Sequence, residues 1–197
     1  MMEEPLQPAA RQVSVVDSVR LIARDIKLAH SVFALPFAVL AGFMVAPRDE
    51  FGRIDWVAMS GLLALVLVCM VAARTWAMVV NRLADRGIDA GNPRTRGRVF
   101  ASGALPPVTG WLALAACAAL FFGACTLFGV VFENWWPTVL AAPVLAWIAF
   151  YSFTKRFTWW CHVFLGGALA ASPLAAAIAV GGIETLASPG LWLLAGM

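Results

Sequence analysis

Three side chains that carry oxygen ligands, Asn81, Asp85 and Asp89, recur every four residues beyond an uncharged segment of membrane-spanning length. At this spacing they lie on roughly one face of an α-helix. Two carboxylates about one turn apart suit Mg²⁺, a hard cation that binds a few protein oxygens and leaves other positions to substrate phosphates. The sequence therefore predicts a magnesium site with Asp85 and Asp89 as the metal ligands.

We call Asn81, Asp85 and Asp89 the acidic trio, after its two aspartates. The basic residues around it are Arg82, Arg86, Arg94, Arg96 and Arg98. Such a surplus of positive charge suits a diphosphate, because guanidinium groups bind phosphate oxygens through paired N–H donors. A single arginine on a membrane-protein loop is more often solvated or bound to a lipid head group. The arginines are therefore informative only because they accompany the acidic trio.

The composition is that of an integral membrane protein. Hydrophobic residues make up 62% of the chain, charged residues 13%, and the mean hydropathy is +0.84, whereas soluble domains are about half apolar and a quarter charged. Five uncharged runs can each supply the roughly 18–20 apolar residues that cross a bilayer as a helix, and a shorter sixth run begins at Thr185. We expect an all-α fold, a polytopic transmembrane helix bundle with five complete spans and part of a sixth. The five runs are 28–47, 56–73, 99–132, 134–154 and 157–183.

The basic residues also predict how the chain crosses the membrane. Of fourteen Lys and Arg, only Arg48 and Arg53 fall in the first loop between spans. The others lie in the N-terminal segment, between residues 74 and 98, or at Lys155 and Arg156. Because cytoplasmic loops carry the excess of basic residues, the N-terminus, the acidic trio and Lys155–Arg156 are expected in the cytoplasm.

The N-terminal segment divides into two parts. Residues 1–14 are polar and predict a disordered cytoplasmic tail. Val15, Val19, Ile22 and Ile26 then recur at helical spacing. This pattern predicts a short amphipathic helix in the cytoplasmic interface, ahead of the first span.

Three motifs in order resemble one family, the UbiA-type membrane prenyltransferases. The segment NRLADRGIDAGNPRTRGR, residues 81–98, resembles the family's first aspartate-rich motif NxxxDxxxD with its following RTxxR. Residues 20–42 resemble the segment that leads into its first helix, and residues 151–180 resemble the segment that joins its fourth and fifth helices, with a Tyr–x–x–x–Lys–Arg pattern. The sequence of these segments is most similar to that of the 4-hydroxybenzoate polyprenyltransferases and their menaquinone-route relatives.

This resemblance implies a nine-helix fold around a cavity open to lipid, with two aspartate-rich motifs that hold Mg²⁺ on a polyprenyl diphosphate. Residues 15–197 would form a UbiA-type transmembrane prenyltransferase domain that is incomplete at its C-terminus. Beyond Asp89 the only acidic residues are Glu133 and Glu184, so the second motif would lie beyond Met197. We therefore expect the 197-residue chain alone to be inactive.

The resemblance also implies a role for each matched residue. Asn81, Asp85 and Asp89 would be catalytic, while Arg94, Arg98, Lys155 and Arg156 would bind phosphate oxygens. Tyr151 would contribute to substrate binding. Arg82 or Arg74 would bind the carboxylate of the acceptor, although either side chain could equally extend to the membrane interface.

The reaction implied is transfer of a polyprenyl group to an aromatic acid, 4-hydroxybenzoate or a related naphthoate, in ubiquinone or menaquinone biosynthesis. The expected partners are polyprenyl diphosphate, the aromatic carboxylate and the lipid bilayer of the bacterial cytoplasmic membrane, with no nucleic acid.

Other hypotheses explain less of the sequence. CDP-alcohol phosphotransfer requires a DGxxAR continuation, whereas Asp85 is followed by Arg86 and Gly87. A transporter should place polar groups near the middle of the bilayer, where the predicted spans have almost none. A non-catalytic fragment, a transporter or a membrane scaffold remains the alternative.

Overall fold

The computed structural model describes residues 14–26, 35–154, 156 and 158–197, and helices dominate throughout. Apart from one isolated antiparallel bridge between Arg48 and Ile54, these residues form no β-structure, which confirms the all-α prediction. A 3-10 helix, Ile183–Ala187, joins the last two α-helices. The α-helices are α1 (Val15–Asp25), α2 (Leu35–Met44), α3 (Trp56–Ala90), α4 (Pro107–Phe132), α5 (Trp136–Thr154), α6 (Cys161–Gly181) and α7 (Pro189–Gly196).

Four helices, α3, α4, α5 and α6, are long and apolar enough to cross a membrane, so the chain is an integral membrane protein. They correspond to the second to fifth predicted spans. The first predicted span, 28–47, lies partly outside the described residues, and its described part is the ten-residue apolar helix α2. The last uncharged run contains the short helix α7. Of the predicted tail, only Ser14 is described, and its hydroxyl caps α1.

Helix α3 carries the acidic trio, and both of its ends follow from the local sequence. Asp55 caps its first turn by accepting hydrogen bonds from the backbone N–H groups of Val57 and Ala58, each at 3.0 Å. The helix runs for 35 residues and stops before Gly91, because Pro93 disfavours the helical conformation at the residue before it, Asn92. Its length of roughly 50 Å exceeds the roughly 30 Å hydrocarbon core of a bilayer. Its last turns can therefore lie outside the lipid while they continue a membrane span.

A hydrophobic cluster fixes the surroundings of the last turns of α3. Apolar residues from α1, from α3 and from the connection between α3 and α4 are buried together with Leu114 of α4. The cluster attaches the N-terminal helix and the connecting loop to the segment that carries the acidic trio. Its members on the other elements are Ile22, Ile26, Val79, Val80, Leu83, Val99, Phe100 and Leu105.

Side-chain hydrogen bonds to backbone carbonyls also join helices elsewhere in the bundle. The Trp76 indole N–H on α3 donates to the Leu145 carbonyl on α5 at 3.2 Å. The Asn134 amide, just before α5, donates to the carbonyls of Ile178 and Ala179 on α6 at 2.7 and 3.0 Å. In a membrane such bonds hold helices together because water is not available to satisfy these groups.

Gly110 allows α4 to approach α3 beside the site, which gives a first prediction. A Cβ atom at Gly110 would lie 2.7 Å from Cδ2 of Leu83 and 3.0 Å from Cζ of Phe100, and both of those side chains are buried. Gly110→Ala should therefore destabilise the protein by roughly 1–3 kcal/mol, measured by reversible denaturation in mixed micelles. Gly123→Ala is the matched control on the same helix, since nothing lies within 4 Å of its added Cβ. Equal stability of the two variants would contradict this packing.

Candidate active site

The acidic trio lies on the last three turns of α3, and the two aspartates face the interior of the protein. Asp85 and Asp89 are each only 6% exposed, whereas Arg86, Gly87 and Ile88 between them are exposed. Asp89 also lies one residue from the C-terminal end of the helix, where the helix dipole is negative. Two desolvated carboxylates in such a place require cations close by.

Asp89 obtains its cation from the connection between α3 and α4. Nη1 of Arg98 donates to Oδ1 of Asp89 at 2.8 Å and to Oδ2 at 2.7 Å. The Asp89 side chain is 8% exposed and that of Arg98 is 29% exposed. These are short charge-assisted hydrogen bonds, the stronger class in proteins.

A folded loop holds Arg98 in this position. The Asn92 side-chain oxygen accepts from the backbone N–H of Arg94 at 3.0 Å. The buried Thr95 hydroxyl donates to the Asp89 carbonyl at 3.2 Å, and the N–H of Arg98 donates to the Thr95 carbonyl at 2.9 Å. Thr95 thus anchors the loop to the end of α3. The sequence marked Thr95 only as part of the RTxxR pattern and predicted no role for it.

Asp85 obtains its cation from the connection between α5 and α6. Nη2 of Arg156 lies 3.3 Å from Oδ1 of Asp85 and also donates to the Ala84 carbonyl. The Arg156 guanidinium lies 5.7 Å from the centre of the Phe153 ring, a cation–π contact that helps to orient it. Two connections that are distant in sequence therefore each bring an arginine to one aspartate of the trio.

The remaining predicted site residues lie in different surroundings. Arg94 is exposed, Tyr151 is partly buried in the last turn of α5, and Lys155 lies outside the described residues. Arg82 is held by α1: its Nε donates to Oδ2 of Asp25 at 2.8 Å and its Nη2 to the Asp25 carbonyl at 3.3 Å. Nothing in the local sequence pattern distinguishes Asp25, so only the fold reveals its role as the partner of Arg82.

Arg74 differs from the other arginines of the site. It lies seven residues before Asn81, and therefore on the same face of α3 about two turns away. Its Nε is buried and has no hydrogen-bond partner among the residues that the structure describes. A buried guanidinium donor without a partner is costly, so this position favours a ligand that can accept a hydrogen bond.

The donor atoms of the trio fit the predicted cation. The carboxylate oxygens of Asp85 and Asp89, with the side-chain oxygen of Asn81, are the hard ligands that Mg²⁺ prefers. Within the described residues, no group of three or more His, Cys, Asp or Glu side chains is placed to hold a metal ion. Asp85 and Asp89 would hold such an ion, and substrate oxygens or water would supply the other ligands.

Fold and site together define an all-helical membrane protein whose longest helix ends in paired carboxylates neutralised by arginines from two connections. Residues 34–197 match the UbiA prenyltransferase family. The chain belongs to the UbiA prenyltransferase family.

Individual relatives agree with this assignment. The chain is 33% identical over 145 residues to the 4-hydroxybenzoate octaprenyltransferase of Alcanivorax borkumensis, covering 71% of this chain and 47% of that protein. It is 30% identical over 145 residues to the enzyme of the same name from Stutzerimonas stutzeri, covering 71% and 46%. The chain thus spans about half the length of these curated relatives.

A solved structure has the same fold. The apo structure of a UbiA homolog from Aeropyrum pernix K1 superposes with a TM-score of 0.70 at 27% sequence identity. The match covers 86% of this chain and 61% of the other. The helix order of the membrane bundle is therefore that of a UbiA protein.

The ion pair between α1 and α3 gives a second prediction. The side chains of Arg82 and Asp25 are only 12% and 14% exposed, so Arg82→Met would leave a largely desolvated carboxylate without its cation. We expect a loss of roughly 2–4 kcal/mol in the free energy of unfolding, measured in mixed micelles. Arg53→Met is the control, since the Arg53 side chain is 74% exposed and its pair with Asp49 should contribute at most about 1 kcal/mol. Equal losses would show that the α1 contact contributes no more than a surface pair.

Proposed function

We propose that the protein transfers a polyprenyl group from polyprenyl diphosphate to an aromatic acid, 4-hydroxybenzoate or a related naphthoate, in quinone biosynthesis. The observation that carries this proposal is the pair of buried aspartates at the end of α3, each in contact with an arginine from a connecting segment. Such a site would combine groups for a metal and for phosphate at one end of an apolar bundle. The names of the relatives, 4-hydroxybenzoate octaprenyltransferase, support this class of acceptor.

The acidic trio and the arginines would share the binding of the diphosphate. Asp85 and Asp89 would hold Mg²⁺, with Asn81 on the same helix face. When bound, this ion would neutralise the diphosphate and so stabilise the charge that develops as it leaves. Arg94, Arg98, Lys155 and Arg156 would bind the remaining phosphate oxygens, and Tyr151 would lie beside them at the end of α5.

The apolar bundle would protect the reacting carbon. The bond between the allylic carbon and the diphosphate oxygen breaks with positive charge developing on carbon, and an electron-rich aromatic carbon forms a bond to it. Diphosphate leaves with the electron pair of the broken bond, and the attacked ring carbon loses its proton to diphosphate or water, which restores the aromatic ring. Water would compete for this carbon, so the reaction requires surroundings that exclude it. The helices α3 to α6 consist largely of hydrocarbon side chains, which would also accommodate the isoprenoid tail.

Arg74 is the better candidate for the carboxylate of the acceptor. Arg82 is already paired with Asp25. The Nε of Arg74, by contrast, is buried and without a partner among the described residues. The carboxylate of an aromatic acceptor could accept a hydrogen bond from this Nε. Arg74 lies about 10 Å from Asn81 along α3, towards the apolar part of the bundle where the isoprenoid tail would lie.

We also propose that the N-terminus and the site face the cytoplasm, in the cytoplasmic membrane of a bacterium. The bacterial origin of the relatives supports the compartment. The orientation is supported by the concentration of basic residues at this end of the bundle, where Arg98 and Arg156 meet the aspartates.

The proposed reaction is tested by removing each carboxylate. Asp85→Asn and Asp89→Asn should each lower prenyl transfer at least about 100-fold in membranes that carry the full-length protein, because diphosphate charge would no longer be neutralised. Asn81→Ala should lower it less. Glu133→Gln, an exposed acid at the opposite end of α4, is the control and should retain activity. Wild-type rates in both aspartate variants would disprove the proposed site.

The role of Arg74 is tested by the two Michaelis constants. Arg74→Gln should raise KM for the aromatic acid by about tenfold or more, the equivalent of a lost charged hydrogen bond. KM for polyprenyl diphosphate should change little, which provides an internal control. Arg74→Lys should retain part of the affinity for the acid, since it keeps the charge. An equal rise in both constants would show that Arg74 supports the bundle rather than the acceptor.

A further inference from the structure

The two aspartates of the site already have cationic partners in the absence of substrate. Asp89 pairs with Arg98 and Asp85 pairs with Arg156. The aspartate side chains are each 8% exposed, whereas those of Arg98 and Arg156 are 29% and 40% exposed. The anions are thus fixed inside the protein on a rigid helix, and their cations approach from the outer side on connecting segments.

A divalent cation at this site would compete with these arginines. Nη1 of Arg98 lies within 2.8 Å of both oxygens of Asp89. These are the same oxygens that a metal would use, and two cations so close together repel each other strongly in a poorly solvated place. Metal binding to Asp89 should therefore be weak until the guanidinium has moved to another anion.

The surroundings of the two arginines allow their side chains to move without the backbone. Thr95 fixes the loop of Arg98 to the Asp89 carbonyl through its own hydroxyl. The backbone N–H of Arg156 donates to the Phe153 carbonyl at 3.0 Å, which ties the Arg156 segment to the last turn of α5 independently of the guanidinium. Each guanidinium could leave its carboxylate for a neighbouring phosphate oxygen while its segment stays attached to the helix bundle.

We infer that Arg98 and Arg156 are exchangeable counter-ions, which neutralise Asp89 and Asp85 before substrate arrives and move to the diphosphate when a divalent cation binds. This inference rests on the proposed function. It implies that metal and diphosphate bind cooperatively, because the metal alone would displace arginines that have no other anion to bind. With diphosphate present, the displaced guanidinium groups gain new partners.

Equilibrium dialysis of the detergent-solubilised full-length protein with Mn²⁺ tests the exchange without relying on activity. Dialysis is done with and without inorganic diphosphate, and a protein-free sample measures chelation by diphosphate itself. Wild-type protein should bind Mn²⁺ weakly alone and at least about fivefold more tightly with diphosphate. Arg98→Gln should bind Mn²⁺ alone at least about fivefold more tightly than wild type, while the enhancement by diphosphate decreases.

Three further variants separate exchange from a purely structural role. Arg98→Lys keeps the charge on a shorter group, so its affinity for Mn²⁺ alone should lie between those of wild type and Arg98→Gln. Arg156→Gln should also tighten Mn²⁺ binding in the absence of diphosphate and reduce the enhancement by diphosphate, each by a smaller factor than Arg98→Gln. The reason is that the Arg156–Asp85 pair is longer, at 3.3 Å, than the Arg98–Asp89 pair, at 2.7 Å. Arg96→Gln removes one charge from the same exposed loop but from a residue with no ion pair among the described residues, and should resemble wild type.

The outcomes distinguish the exchange from the function on which it rests. If the wild type binds Mn²⁺ together with diphosphate but Arg98→Gln binds Mn²⁺ alone no better, the exchange is wrong and the proposed function stands. If Arg98→Gln weakens Mn²⁺ binding both without and with diphosphate, Arg98 only maintains the structure of the site, and the exchange is again wrong. If the wild type binds no Mn²⁺ even with diphosphate, both the proposed function and the exchange are overturned.

Discussion

The structure around the site depends on the burial of two carboxylates at the negative end of a long helix. Asp85 and Asp89 have lost most of their contact with water, and Asp89 lies one residue from the end of α3. Ionised groups in such a position are stable only when cations and hydrogen-bond donors replace the lost solvent. The protein supplies these groups from segments outside α3, because the residues between the two aspartates are directed towards solvent.

This requirement gives each connecting segment a definite task. The connection between α3 and α4 folds back onto the helix through Thr95 and places Arg98 on Asp89. The connection between α5 and α6 places Arg156 on Asp85. Helix α1 packs against the same turns, with Asp25 bound to Arg82. The end of α3 is therefore enclosed by three segments that supply partners for its charges, and the hydrophobic cluster holds two of them, α1 and the connection between α3 and α4, in place.

The membrane adds a second constraint, which separates polar chemistry from the apolar bundle. Helices that cross lipid must satisfy their own backbone groups, so the spans contain few polar side chains and the charged residues collect at the helix ends. Arg74 is the exception, since it lies deeper on α3 and keeps a buried Nε without a partner in the described part of the chain. A site at the boundary suits a substrate with a charged head and a hydrocarbon tail.

The sequence by itself determined the helical fold, the ends of α3 and the shared face of Asn81, Asp85 and Asp89. These features depend on hydrophobic runs, on the Gly91–Pro93 stop and on a spacing of four residues, all of which are local. Its motifs also identified the family. The predicted segment 28–34 and Lys155 lie outside the described residues, and the roles of the trio remain predictions.

Only the tertiary structure decided which arginine meets which acid. Asp85 and Arg156 are 71 positions apart in the chain, and Asp25 and Arg82 are 57 apart. Five arginines near the trio look equivalent in sequence, yet Arg98 binds Asp89, Arg82 turns to α1 and Arg94 stays exposed. Charge and spacing cannot distinguish them, because a long side chain takes the partner that helix packing and desolvation bring within its reach.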